Sequence, residues 1–421
     1  MGFVSVLVWV SYVLALYFLV YWLLLFFENR HRIKDEWSEE VSFKSYPFVS
    51  VVVPAYNEEA TIRQTVESLF GLDWPKDRVE FLIIDDGSRD RTSAIVKAMK
   101  REFPQEPLKL VRQENQGKAT ALNNGLDVAK GKYYACLDAD SFVDPDALKH
   151  IIYWHEKHPD MAIATPVMKI ATPKTWVQKF QRLEYMAGML LTRLMSYVHS
   201  NYVAPGPFSI YKKDVVKKLG GFDKESLVED QEIAYRAQMG HYRIMQVPNA
   251  FVHTVGPYTV KQLQNQRNRW MKGTLMNLVK YRRAIFNRKY GDFGIFQLPL
   301  NMAQFALSLV AVVAFLFYVI KPLARHVHEL WLVNFDLIPY LQTLSFNMHI
   351  LQLRVTPVFI LVLMLVLGAV FLFLAGRINK DRVRQYGTLH IVPYFFVFYL
   401  ILAFIAIKVM AELAVGKKQK W

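Results

Sequence analysis

Long apolar runs at both ends of the chain bracket a middle part in which short apolar runs alternate with polar clusters. Four stretches carry no Asp, Glu, Lys or Arg: Phe3 to Phe27, Phe293 to Ile320, Val355 to Gly376 and Thr388 to Ile407. A helix rises 1.5 Å per residue, so about 20 such residues cross a hydrocarbon core of about 30 Å. The pattern therefore predicts transmembrane helices at 3–27, 293–320, 355–376 and 388–407. A cleaved signal peptide would need a basic start and a small-residue cleavage site, and the first run has neither. In the middle, Ser50–Pro54, Phe81–Ile84 and Tyr133–Leu137 read as buried strands, and Ile62, Val66 and Leu69 recur at helical spacing. Strands alternating with helices predict an α/β domain over 45–255 with a mainly parallel sheet and helices on both faces. Ligands of such sheets gather beyond the carboxyl ends of the strands.

The polar clusters fall at those ends. PAYNE follows the first strand, DDGS the second and DADS the third. Each alone reads equally well as a turn or a helix start; together on one edge they predict a site. Asp138 and Asp140 stand one residue apart at the end of an apolar strand, where two like charges need a partner.

Composition changes the picture in two ways. The chain is 53% hydrophobic yet carries a formal net charge of +15. A basic excess suits nucleic acid or a membrane with basic flanks, but a carboxylate-lined edge repels phosphates without a cation, which argues against nucleic acid. The single cysteine, Cys136, excludes an intrachain disulfide framework and a multi-cysteine zinc site. Arg30, Arg32 and Lys34 follow the first run directly, so the positive-inside rule puts the N-terminus outside and residues 28 to about 290 in the cytosol. The RINKDRVR stretch fits that alternation. The terminal KKQK opposes it, and 321–354 reads as a re-entrant or interfacial piece.

Two further segments are amphipathic. Residues 175–198 align Val177, Phe180, Leu183, Ala187, Leu190, Leu191 and Leu194 in one stripe, and 259–286 ends in KYRRAIF, whose basic residues suit anionic headgroups. Both are expected to lie at the membrane interface. The second carries Gln266, Arg269 and Trp270, which share one helical side.

These motifs resemble the family 2 glycosyltransferases of the GT-A fold, in particular the membrane-integrated synthases of cellulose, chitin, hyaluronan and poly-N-acetylglucosamine. The resemblance implies a Rossmann-like GT-A catalytic domain in the cytosol, about four membrane spans and interfacial helices, in an integral plasma-membrane protein. Asp138 and Asp140 look like the family's DxD, which implies a Mg²⁺ or Mn²⁺ ion on Asp140 and a donor contact from Asp138. Such ions take one or two protein carboxylates plus substrate phosphates. The resemblance further implies donor contacts from Pro54, Ala55, Tyr56, Glu58, Asp86 and Lys118, the last in NQGKATALNNG. SLVEDQEIAYR resembles the family's T-E-D with Val228 in place of threonine; it implies Asp230 as catalytic base and Glu229 on the acceptor side. Q-x-x-R-W implies that Gln266 and Arg269 serve the donor diphosphate and that Trp270 serves the acceptor sugar. The implied partners are a UDP-sugar, with UDP-N-acetylglucosamine favoured, a growing β-linked polysaccharide and the bilayer. Single transfer to a lipid carrier is the competing expectation. Donor, linkage, chain length and accessory subunits stay open.

Overall fold

The computed structural model describes residues 3–336, 338 and 355–416. Helices long and apolar enough to span a bilayer are α1 (Phe3–Trp37) before the α/β part and α10 (Phe293–Leu332), α11 (Val355–Ile378) and α12 (Ile391–Ala414) after it. The protein is membrane-integrated. All four helices outrun their charge-free cores, α11 by only two residues past Gly376. α1 continues ten residues past Phe27, because its last turns gain partners: Ile33 is buried, and Glu36 accepts from Tyr197 (2.6 Å) and from Arg193. α10 continues past Ile320 to Leu332, and α12 past Ile407 to Ala414. Of the expected interfacial piece 321–354, residues 337 and 339–354 lie outside the described residues.

The α/β part is built on eight strands: β1 (Val49–Ala55), β2 (Val79–Asp86), β3 (Leu108–Gln113), β4 (Tyr133–Cys136), β5 (Ser141–Val143), β6 (Met161–Ile170), β7 (Ile210–Lys212) and β8 (Arg243–Thr254). They form one sheet in the order β3-β2-β1-β4-β7-β6-β8-β5. β3, β2, β1 and β4 are parallel, whereas β7 is antiparallel to both β4 and β6, and β5 is antiparallel to β8. The sheet is thus mainly parallel, as expected, but mixed by two reversed strands. The difference arises beyond β4, where the short strands β5 and β7 reverse direction.

The helices of this part are α2 (Ile62–Phe70), α3 (Thr92–Glu102), α4 (Lys118–Val128), α5 (Ala147–Lys157), α6 (Trp176–Tyr197), α7 (Lys213–Lys218), α8 (Glu229–Met239) and α9 (Val260–Lys280). Alternate residues of the central strands feed two apolar clusters, one on each face. Val51, Val53, Phe81 and Ile83 pack with Ile62, Val66 and Leu69 of α2, while Val52, Leu82 and Ile84 pack with Ala121 and Leu122 of α4. A third cluster joins Trp22 and Phe26 of α1, Leu183 and Leu190 of α6 and Phe371 of α11. The apolar stripe of α6 therefore meets the long apolar helices and seats the sheet against them. α6 and α9 each begin with a reciprocal capping box, at Thr175/Gln178 and Thr259/Gln262, which sets where each helix starts.

Candidate active site

Parallel pairing puts the carboxyl ends of β1, β2 and β4 on one edge, since Ala55 pairs with Asp85 and Val52 with Cys136. The loops that follow are tied to one another. Asn57, in the left-handed region at φ 56°, donates its N–H to Ser88 Oγ (3.0 Å) and accepts from the N–H of Arg89 (2.8 Å). The Glu58 N–H donates to Thr92 Oγ1 (2.8 Å). PAYNE is therefore more than a helix start; its last two residues are bonded to Ser88 of DDGS and to Arg89 and Thr92 just beyond it.

The two aspartates of DDGS divide the work. Asp85 holds the turn, accepting from the Ser88 N–H (2.9 Å) and Ser93 Oγ (2.6 Å). Asp86 is buried and accepts from Gln113 Nε2 (2.7 Å) and from the N–H groups of Gln116 (3.0 Å) and Gly117 (2.8 Å). Its carboxylate fixes the loop leading into α4, and about one of its four acceptor sites is left for a ligand. Beside it Tyr56, Gly87, Arg89, Arg112 and Gln113 line an open cleft of about 800 Å³. Pro54 and Ala55 end β1 at the same edge, and the Tyr56 ring is exposed there.

After β4 the chain does not go straight into a helix. β5 intervenes and α5 starts at Ala147, so the aspartates of DADS do not cap it. Lys118, at the start of α4, lies between two motifs far apart in sequence. Its Nζ is 2.6 Å from Asp138 Oδ1 and 2.9 Å from Glu229 Oε1. Burial alone would lower the Lys118 pKa, but Asp138, Glu229 and Asp230 raise it, so the ammonium stays charged. Asp140 is pushed up to about 7 by burial and by the charges of Asp138 and Glu58, with Ser141 Oγ its one donor (3.1 Å) among the described residues. Glu58 is itself raised, first by burial and then by Asp138 and Asp90, against a lowering bond from Thr61. Acidic groups thus crowd this edge with one ammonium among them.

Asp230 lies in the first turn of α8 and is raised to about 6, by burial and by Glu229, with Lys118 and Arg269 opposing. The helix-start reading of this segment holds alongside its place in the site. Arg269 donates from Nη1 to the Leu227 carbonyl (3.1 Å), which brings α9 to the same point. Trp270, one residue on, carries the Arg267 guanidinium 4.2 Å from its ring centroid, and Arg267 is paired with Glu184 (2.5 Å). Gln266 is half-buried, and its side-chain oxygen has no hydrogen-bond partner among the described residues. The structure therefore brings Glu58, Asp138, Asp140, Lys118, Glu229, Asp230 and Arg269 together. Asp86 and Tyr56 flank them on the cleft side, and Trp270 and Gln266 on the α9 side.

One residue of this site has no role assigned to it by the sequence, although its segment APGPFSIYKK (Ala204 to Lys213) resembles the family's acceptor-site segment. A Cβ on Gly206, in the APGPF segment, would sit 2.7 Å from both Asp138 carboxylate oxygens and 2.8 Å from Lys118 Nζ. The loop passes directly over the Asp138–Lys118 pair, and a side chain at 206 would displace those two side-chain ends. A proline-flanked glycine reads as a turn, and nothing in its neighbours points to Asp138. Gly206→Ala should lower turnover about tenfold or more by pushing that pair apart, since small misplacements near reacting groups are costly. Steady-state rates set beside the thermal midpoint check this, and wild-type rates would show that the loop yields.

A mixed sheet of this order, a carboxylate-rich edge and adjoining apolar helices define a GT-A domain integrated in a membrane. Residues 50–220 match the model described as Glycosyl transferase family 2, so the chain carries a family 2 glycosyltransferase domain. Among curated relatives it is 32% identical over 227 residues to the poly-β-1,6-N-acetyl-D-glucosamine synthase of Staphylococcus epidermidis, covering 53% of this chain and 54% of that one. It is 28% identical over 274 residues to the Staphylococcus aureus (strain COL) protein of the same name, covering 65% and 66%. The chain thus spans between half and two thirds of the length of these relatives. Among solved structures, the mannosyltransferase PcManGT from Pyrobaculum calidifontis, in complex with GDP-Man and Mn²⁺, aligns with TM-score 0.53 at 19% identity. That alignment covers 88% of this chain and 99% of that one, a likeness of fold.

Proposed function

We propose that the protein is an inverting glycosyltransferase that extends a β-linked polysaccharide from a UDP-sugar, UDP-N-acetylglucosamine being favoured, and passes the chain through its membrane part. The observation that carries this reading is the Lys118 bridge between Asp138 and Glu229, which gathers three separate motifs at one point beside Arg269. The similarity to the two staphylococcal synthases supports the choice of polymer.

In this mechanism an acceptor hydroxyl attacks the anomeric carbon and Asp230 takes its proton. The new C–O bond forms as the bond to the diphosphate breaks. A carboxyl raised to about 6 is ionised at neutral pH yet basic enough to accept that proton. Arg269 and Lys118 face the negative charge that builds on the leaving group. The residues present fit a divalent cation. Asp140 is half-buried among like charges with a single donor among the described residues, although those residues hold no group of three His, Cys, Asp or Glu at metal-ligand spacing. Asp140 would hold the ion with Asp138 beside it, substrate oxygens completing its shell, and the ion would neutralise the diphosphate. The catalytic domain faces the cytosol and the N-terminus the outside, on the basic flank after α1.

Incubating the purified protein with separate UDP-sugars, and following UDP release and product size, tests the reading. We expect one UDP-sugar to be turned over into chains of many units. A product carrying a single sugar on a lipid, with every donor tried, would put the lipid-carrier reading in its place.

A further inference from the structure

We infer that Lys179, Arg182 and His390 bind the phosphate of an anionic phospholipid, in the leaflet on the catalytic domain's side, where α6 meets the start of α12. The inference does not rest on the glycosyltransferase reading. It starts from two buried side chains whose bonding is incomplete. Arg182 is 2% exposed, and its Nη2 donates to the Asp381 carboxylate and to the Arg382 carbonyl (2.6 Å). The Tyr386 ring centroid lies 4.8 Å from the same guanidinium. Arg182 Nη1 is buried and has no hydrogen-bond partner among the described residues. His390, the residue before α12, is also 2% exposed, and its Nε2 is unpartnered in the same sense. Buried side-chain nitrogens are in large majority bonded, so each orphan asks for a reason.

The two orphans are neighbours. Burial lowers the His390 pKa, and the charges of Lys179 and then Arg182 lower it further. Lys179 stands three residues before Arg182 on one face of α6, is half-buried, and makes no side-chain bond or ion pair among the described residues. Asp381 offsets one of these two charges, which leaves an excess for an anion to meet. The first turn of α12 adds the positive end of a helix dipole beside His390.

The place in the fold selects the anion. The loop between α11 and α12 is docked on the catalytic domain. Asn379 Nδ2 donates to the Met186 carbonyl of α6 (2.8 Å), and Lys380 Nζ to Asn249 Oδ1 of β8 (2.7 Å). From that loop α12 runs out to pack against α10, with the Phe404 and Phe315 rings 5.9 Å apart. The cations therefore sit where the α/β part gives way to the apolar helices. Large apolar side chains beside them are uncovered: Leu389 is 82% exposed, Val392 66% and Trp176 51%. A soluble phosphate would use the cations and leave these side chains in water. A phospholipid uses both, its headgroup on the cations and its acyl chains along Leu389 and Val392. Basic residues at a membrane surface favour anionic lipids, and tryptophan favours headgroup level.

Native mass spectrometry of the detergent-purified chain, titrated with phosphatidylglycerol or with phosphatidylcholine, reads the site directly. Phosphatidylglycerol should be held more tightly than phosphatidylcholine. Lys179→Gln should weaken it about fivefold, the share of one basic residue at an anionic surface, and Lys179→Arg should not. His390→Leu should weaken it about tenfold through the lost hydrogen bond to a charged group. Arg30→Gln, on the basic flank of α1, should change nothing. Equal retention of the two lipids, or wild-type affinity in both Lys179→Gln and His390→Leu, overturns the proposal. So does an equal loss in Arg30→Gln, which would show a diffuse basic belt.

The thermal midpoint separates the lipid from a soluble ligand. Phosphatidylglycerol should raise the midpoint of wild type, and most of that shift should vanish in His390→Leu. Inorganic phosphate should raise it no more than chloride at equal ionic strength. Protection by phosphate that matches the lipid's assigns the site to a soluble phosphate compound and overturns the proposal.

Discussion

Asp230→Asn should cut turnover by about 10²–10⁴-fold while UDP binding stays close to wild type. The asparagine keeps the shape of the side chain and the site's hydrogen-bonding atoms, but it cannot accept the acceptor's proton. The Gln231 N–H, which donates to Asp230 Oδ1 (2.8 Å), can still donate to an amide oxygen, so the start of α8 should hold. The wild-type pH profile gives a second test of the same group. Burial and Glu229 raise Asp230 to about 6. A base works ionised, so kcat/KM should be on its plateau at neutral pH and fall as pH drops through about 6. In Asp230→Asn that inflection should vanish from the residual rate. An equal loss of UDP affinity would mean that Asp230 holds the structure or the donor and is not the base.

The parts of this site legible in the sequence were those written in continuous runs. Val51 to Val53, Phe81 to Ile84 and Tyr133 to Cys136 are buried on both sheet faces, so they read as strands without any need of context. β3 is different: in LKLVRQ, Lys109 and Arg112 are exposed on the outermost strand, and half-exposed edges blend with loops. β5 and β7 have three residues each and exist through their pairing with β8, β4 and β6, which no local pattern encodes. The same limit applies to contacts within the site. Asp86 is a polar residue at a strand end in the sequence, but only the fold shows its carboxylate tied up by the Gln113–Gly117 loop. Gly206 matters because of what Asp138 and Lys118 do near it.

Asp140→Asn should reproduce the effect of chelating divalent cations, lowering kcat/KM by about 10²-fold or more, because charge stabilisation by such an ion is worth several kcal/mol. The reason lies in the local charges. Asp140 is half-buried beside Asp138 and Glu58, and the ammonium of Lys118 already pairs with Asp138 and Glu229. This carboxylate is costly to the folded chain on its own account and is compensated only when a cation arrives. Removing the charge should therefore have opposite effects on stability and function. Without added metal, Asp140→Asn should unfold at a higher temperature than wild type. Addition of Mn²⁺ should stabilise wild type and leave the variant unmoved, since only the former gains a binding partner. Calorimetric titration with UDP in the presence of Mn²⁺ should show tight binding to wild type and weak binding to the variant. Asp138→Asn separates the two aspartates: it releases Lys118 from its pair, so its loss should persist at saturating Mn²⁺. Full activity in excess chelator, or a variant that melts below wild type in metal-free buffer, would sink the assignment of Asp140 to the cation.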